Sequence, residues 1–94
     1  MLNIATRNIE PAGPVTVVLA GALRKECLAE LESALDMVRR AHLPIVIDLG
    51  EVTLVDRLSV QFLIAQIERD VQLVNCPEYI APWIRRESSN ELSN

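Results

Sequence analysis

The sequence predicts an α/β domain in which a mixed four- to five-stranded sheet, opened by an N-terminal antiparallel hairpin, carries about three helices. Three observations lead there. Two strand-like segments at the start are joined by a turn of hairpin length, and two later strand-like segments each follow a stretch of helical periodicity, as parallel crossovers require. Between the first two helical stretches lies an almost unbroken β-branched run. A chain of 94 residues has room for one hydrophobic core. With 50% hydrophobic and 23% charged residues it has enough apolar material to offset the entropy of ordering.

Leu2 to Glu10 reads as a half-buried strand and Val15 to Ala20 as a stronger one, with Pro11-Ala12-Gly13-Pro14 as the turn between them. From Arg24 to Ala41, Leu28, Leu31, Leu35 and Val38 recur at helical spacing; acidic residues come early and Arg39 and Arg40 late, which suits the helix dipole. Asp36 and Arg40 are spaced as an i,i+4 pair, and His42 and Pro44 mark the exit. Ile45 to Leu49 has the composition of a central strand buried on both faces. Gly50-Glu51 separates it from Val52 to Asp56. A second helix, apolar round much of its circumference and so expected to be covered, follows from Arg57, with Asp56 as N-cap accepting from the N–H of Leu58 or Ser59. Val71 to Val74 alternates as a strand. A third helix is expected to open at Asn75-Cys76-Pro77, with Tyr79, Ile80, Trp83 and Ile84 as its apolar face and Pro82 weakening it. The domain is thus expected to span 1–84, leaving 85–94 as a polar, disordered tail.

Composition excludes several functions. Aromatic residues make up 3% of the chain, which leaves no platform for stacking bases, and a net charge of -4 disfavours nucleic acid as a partner. The first residues contain no apolar run of signal-peptide length, and no stretch approaches the ~20 apolar residues of a membrane span. A cytoplasmic protein without direct membrane insertion is expected. Cys27 and Cys76 form no CxxC pattern and share the chain with one histidine, so no metal site or redox pair is expected and both read as buried thiols. No phosphate-binding, dinucleotide, zinc-protease or serine-hydrolase motif occurs, and no cofactor or catalytic residue is assigned. His42 reads as a helix C-terminal residue, Asp48 as a hydrogen-bonded strand carboxylate, and Tyr79 and Trp83 as core or interface anchors.

Several of these segments together resemble the STAS family, the fold of bacterial anti-sigma factor antagonists and of the cytosolic domains of sulfate transporters. Gly21-Ala22-Leu23 is similar to the family's G-E-L turn, Ile45 to Asp56 (IVIDLGEVTLVD) to its central-strand signature, and Leu73-Val74-Asn75 to its last strand. The resemblance implies a non-catalytic binding module in a partner-switching regulatory system. It also implies a docking surface at Gly21, Leu23, Arg24, Asp56, Arg57, Leu58 and Ser59. The partner would be an anti-sigma factor-like kinase or another STAS-domain protein, and homo-oligomerisation is compatible with it. In phospho-regulated members the aspartate matching Asp56 precedes two hydroxyl residues and a glycine, and the second hydroxyl is phosphorylated; the added charge of ~-1.5 to -2 switches docking off. Here that position holds Leu58 and the glycine position holds Ser59, while Arg24 replaces an Asp-like residue. The phosphoswitch is therefore expected to be lost, with Ser59 as a displaced candidate phosphoacceptor or simply a locally satisfied hydroxyl. Arg57 at a helix start opposes the dipole and is either a partner contact or a solvated surface residue. An alternative within the resemblance is a cytosolic accessory subunit or small-ligand module of a transporter.

Overall fold

The computed structural model describes residues 2–8 and 11–92. Strands β1 (Asn3–Arg7), β2 (Val15–Leu23), β3 (Ile45–Val55) and β4 (Gln72–Val74) form one sheet in the order β1-β2-β3-β4. β1 and β2 are antiparallel; β2–β3 and β3–β4 are parallel. Helix α1 (Leu28–Arg40), preceded by a 3-10 turn at Lys25–Cys27, crosses from β2 to β3, and α2 (Arg57–Glu68) crosses from β3 to β4. Helix α3 (Ala81–Leu92) follows β4 and packs on α2. The expected continuation of the first strand through Ile9 and Glu10 lies outside the described residues, as do positions 93 and 94 of the expected tail.

Two right-handed crossovers running in the same direction across a sheet put both helices on one face. Burial follows that layering. Val15, Val17 and Leu19 on β2 and Ile45, Ile47 and Leu49 on β3 are buried, whereas Thr16, Val18, Val46 and Asp48 between them are only half-covered. The expectation that Ile45 to Leu49 is buried on both faces is corrected, because no described helix covers the second face. Leu31, Leu35 and Val38 of α1 and Val60, Leu63 and Ile64 of α2 close the core, joined by Ile80 and Ile84. Ile67 stays 43% exposed, so α2 is less covered than its composition suggests.

Gly50-Glu51 does not end a strand. β3 runs on to Val55 and gains two residues on β2: Val18 faces Asp48 but Ala20 faces Glu51, and Gly21 faces Val52 but Ala22 faces Leu54. Each extra residue is a bulge. Together they space the inward side chains as Leu49, Val52 and Val55, three residues apart instead of two. A side chain at Gly50 would press on the Asp48 carboxylate (3.1 Å) and Asn75 Cβ (3.3 Å), and Gly21, at φ 104, occupies a conformation that L side chains avoid.

Both crossover helices end by turning left-handed. His42 (φ 58) follows the α1 C-cap, as expected of a C-terminal residue. Asp70 (φ 66) follows that of α2, where Asp70 N–H donates to the Ile67 carbonyl (3.1 Å) and Val71 N–H to the Gln66 carbonyl (3.0 Å), the bond pair of a Schellman motif. The expected Asp36–Arg40 pair is replaced by Asp36–Arg39 at 3.0 Å. Arg39 faces α2 and also donates to the side chain of Gln66, which is buried, whereas Arg40 is exposed.

The C-terminal region departs most from expectation. The Pro77 carbonyl accepts from the N–H groups of Ile80 and Ala81, both at 3.0 Å, and regular helix begins at Ala81, six residues after Asn75. Pro82 therefore sits in the first turn, where a missing N–H costs nothing, and leaves the helix intact. Residues 85–92, expected as tail, continue α3. Glu87 in that stretch accepts from the Trp83 indole N–H (3.4 Å) and pairs with Arg57 (3.3 Å), contacts that tie the helix back to the domain.

Candidate functional site

The C-terminal ends of β2 and β3 lie side by side, with Leu23 in register with Val55. The chain leaves β2 through Arg24 into the 3-10 turn, and leaves β3 through Asp56 into α2. Asp56 has the extended backbone of an N-cap (φ -106, ψ 175), and its Oδ1 accepts from the Ser59 N–H at 2.9 Å, one of the two expected capping bonds. Its Oδ2 accepts from the Lys25 N–H at 2.8 Å. One carboxylate thus satisfies orphan donors at the start of two helical segments and fixes the Gly21–Arg24 turn against the Asp56–Ser59 helix start.

Burial pushes the Asp56 carboxyl upward, but Ser59 and the Lys25 N–H outweigh it and hold the group below its ordinary value. The Ser59 hydroxyl contributes to that balance through its nearness to the carboxylate, although its Oγ is buried without a hydrogen bond of good geometry to any described group.

The structure brings all seven candidate residues into one region but not onto one surface. Leu23 and Ser59 are fully buried. Gly21 and Asp56 are half-buried, and Arg24, Arg57 and Leu58 are exposed, Leu58 by 51%. The position that carries the acceptor hydroxyl in the resemblance is therefore an exposed apolar side chain, and the nearby hydroxyl is inside. Sequence reasoning missed Leu54 (43% exposed) on the last turn of β3, the Lys25 N–H, and Glu87. Leu54 could have been found only by knowing that two bulges turn it outward; Glu87 was hidden in a segment read as tail.

Asp48 is held as expected, its Oδ1 accepting from the Gly50 N–H (2.8 Å) and its Oδ2 from the Asn75 side-chain amide (3.2 Å). Tyr79 is exposed while its hydroxyl donates to the Val52 carbonyl; Trp83 is half-buried against the core. Cys27 and Cys76 are free and half-buried, where full burial was expected, and burial pushes the Cys76 thiol up. Among the described residues no group of three or more His, Cys, Asp or Glu is placed to hold a metal ion, and no helix is long and apolar enough to cross a membrane. Two surface concavities, one lined by Arg39, His42 and Arg69 and one by Val15, Met37 and Leu43, contain none of the seven residues.

No protein-family model matches this sequence, and no curated protein matches it. Solved structures do. One is the crystal structure of Mglu, with a TM-score of 0.64 and 20% identity over 81% of this chain; the chain spans 20% of that longer protein. Another is an antisigma-factor antagonist, a STAS domain from Rhodobacter sphaeroides, with a TM-score of 0.63 and 21% identity, covering 79% of this chain and 86% of that one. At these identities the likeness is one of fold, and the fold is STAS-like: a mixed four-stranded sheet whose first pair alone is antiparallel, with three helices.

Proposed function

We propose that this chain is a non-catalytic binding module of the anti-sigma factor antagonist type. It docks an anti-sigma factor-like kinase or another STAS-domain protein through the start of α2 and the adjoining Gly21–Arg24 turn. The observation that carries this is the Asp56 carboxylate, which joins the two segments with bonds of 2.9 and 2.8 Å and presents Arg24, Arg57 and Leu58 together. The likeness in fold to an antisigma-factor antagonist supports the partner class. Immobilised protein should recover from source lysate a GHKL-type kinase or a STAS-containing assembly. Recovery of neither overturns the proposal, and recovery of a membrane permease or its ATPase instead favours the transporter-accessory alternative.

The docking is proposed to run without a phosphoswitch. Leu58 has no hydroxyl, and the Ser59 hydroxyl lies inside the first turn of α2, where a kinase could reach it only by opening the helix. Incubation with the recovered kinase and ATP should leave the mass of the intact chain unchanged. Stoichiometric phosphate on Ser59 would show that the helix start opens and the switch survives one residue along.

A further inference from the structure

We propose that α1 carries a self-complementary face through which two copies of this chain associate about a two-fold axis, helix against antiparallel helix. The inference is independent of the docking reading: its groove lies by Val15 and Leu43, at or just before the starts of β2 and β3, whereas Asp56 follows the end of β3. Met37 is the most exposed large apolar side chain among the described residues, at 72%. It stands between two concavities on α1. One, of about 350 Å³, is lined on the helix by Ala34, Val38 and Ala41 and beyond it by Val15 and Leu43, with Thr6 and Asn8 as its polar residues. The other, of about 200 Å³, is lined by Ser33, Asp36 and Arg40. A flexible thioether beside a hollow bordered by small residues is a knob with its socket on the same element, which is what an isologous interface requires.

Charge decides the seating. Glu30, Ser33, Met37 and Arg40 are all exposed and recur at three- and four-residue spacing, so they form one row on α1. Glu30 and Arg40 lie equally far on either side of Leu35, as do Ser33 and Met37. Set antiparallel about that midpoint, the row meets its own copy acid to base at both ends, and each Met37 comes over the partner's Ser33 and Ala34. Set parallel and in register, it would bring like charges together. Neither Glu30 nor Arg40 has an ion-pair partner among the described residues, whereas Asp36 beside them is paired with Arg39. Glu32 lies on the other flank of the helix, and Lys25 and Glu26 in the preceding 3-10 turn cancel. The row is therefore neutral but divided, and what complements a divided neutral row is its own inverse, not a surface of one sign. With 13 residues α1 is about 20 Å long, a contact at the small end of stable interfaces, so the dimer is weak, with a Kd on the order of 10 to 100 μM.

The test follows the molecular mass of the intact chain by sedimentation and light scattering from about 1 μM to about 1 mM, in about 0.15 M salt, where repulsion between the like-charged copies is screened beyond ~8 Å. A concentration-dependent dimer is expected. Met37→Glu should weaken it about tenfold or more. Glu30→Arg and Arg40→Glu should each weaken it about three- to tenfold, because the two-fold axis makes one substitution change two contacts, and the two combined should restore it. All three side chains are exposed, and thermal unfolding of each variant checks that the fold is intact. A chain that stays monomeric to about 1 mM leaves the groove to another occupant and overturns the proposal. So does a dimer unmoved by Met37→Glu or by the single reversals, which forms through another face. A double substitution that fails to recover what the single reversals lose rules out the antiparallel seating and overturns the proposal as well.

Discussion

Asp56 is the residue at which sequence and structure agree most closely, because capping is a local interaction that the order Asp-Arg-Leu-Ser already encodes. Its second role is not local: the Lys25 N–H it accepts from is 31 positions away. Asp56→Ala should therefore cost about 2 kcal/mol, roughly one for the cap and one for the second bond, as read by urea unfolding near neutral pH. Asp56→Asn keeps a single acceptor oxygen, so it can hold only one of the two bonds and should cost about 1 kcal/mol or more. Because the folded carboxyl lies below its ordinary value, its contribution is fully present above the ordinary aspartate range and is lost as the pH falls through the folded value. The wild type should lose stability on acidification through that window relative to Asp56→Asn; parallel curves would show that Asp56 is not the group responsible. Gly21 is the other residue with a fixed requirement, at φ 104 beside a bulge, and Gly21→Ala should lower stability by about 1 to 2 kcal/mol in the same assay.

Among the elements, those with strong internal periodicity were legible and their ends were less so. α1 buries Leu31, Leu35 and Val38, as the spacing requires, yet its salt bridge falls on Arg39 instead of Arg40, because a buried glutamine on a different helix decides which arginine turns inward. β3 hid its two bulges for a related reason. A bulge is defined against the neighbouring strand, and Leu-Gly-Glu-Val taken alone looks like a strand ending in a turn. α3 begins later and runs further than its sequence suggests, since its hold on the domain comes from Glu87 meeting Trp83 within the helix and Arg57 on α2. The exit of α2 offers a direct check on element geometry. Asp70 holds the left-handed position of a Schellman motif that glycine fills without strain, so Asp70→Gly should raise the unfolding free energy by about 0.5 to 1 kcal/mol. A loss of stability would mean that the aspartate side chain makes a contact of greater worth.

For the whole molecule, the one-sided layering sets which substitutions matter. Ile47→Ala, at a fully buried position beneath both helices, should cost about 2 to 5 kcal/mol, whereas Val46→Ala, one residue along on the half-covered face, should cost about 1 kcal/mol or less; equal losses in urea unfolding would mean that both faces are covered in solution. The same layering leaves the strand ends, not the sheet face, to build the candidate surface, and it puts the α2 start beside the β2 exit. The sequence by itself determined the mixed α/β class, the order of elements, the aliphatic core and the Asp56 cap, because each follows from periodicity, turn chemistry or hydrogen bonds within a few residues. The tertiary structure alone decided that Leu58 faces out and Ser59 in, that Leu54 is exposed near the end of β3, and that Glu87 reaches Arg57. Those depend on which face of a helix meets the core and on contacts between residues some thirty positions apart, where the chain's own neighbours carry no information.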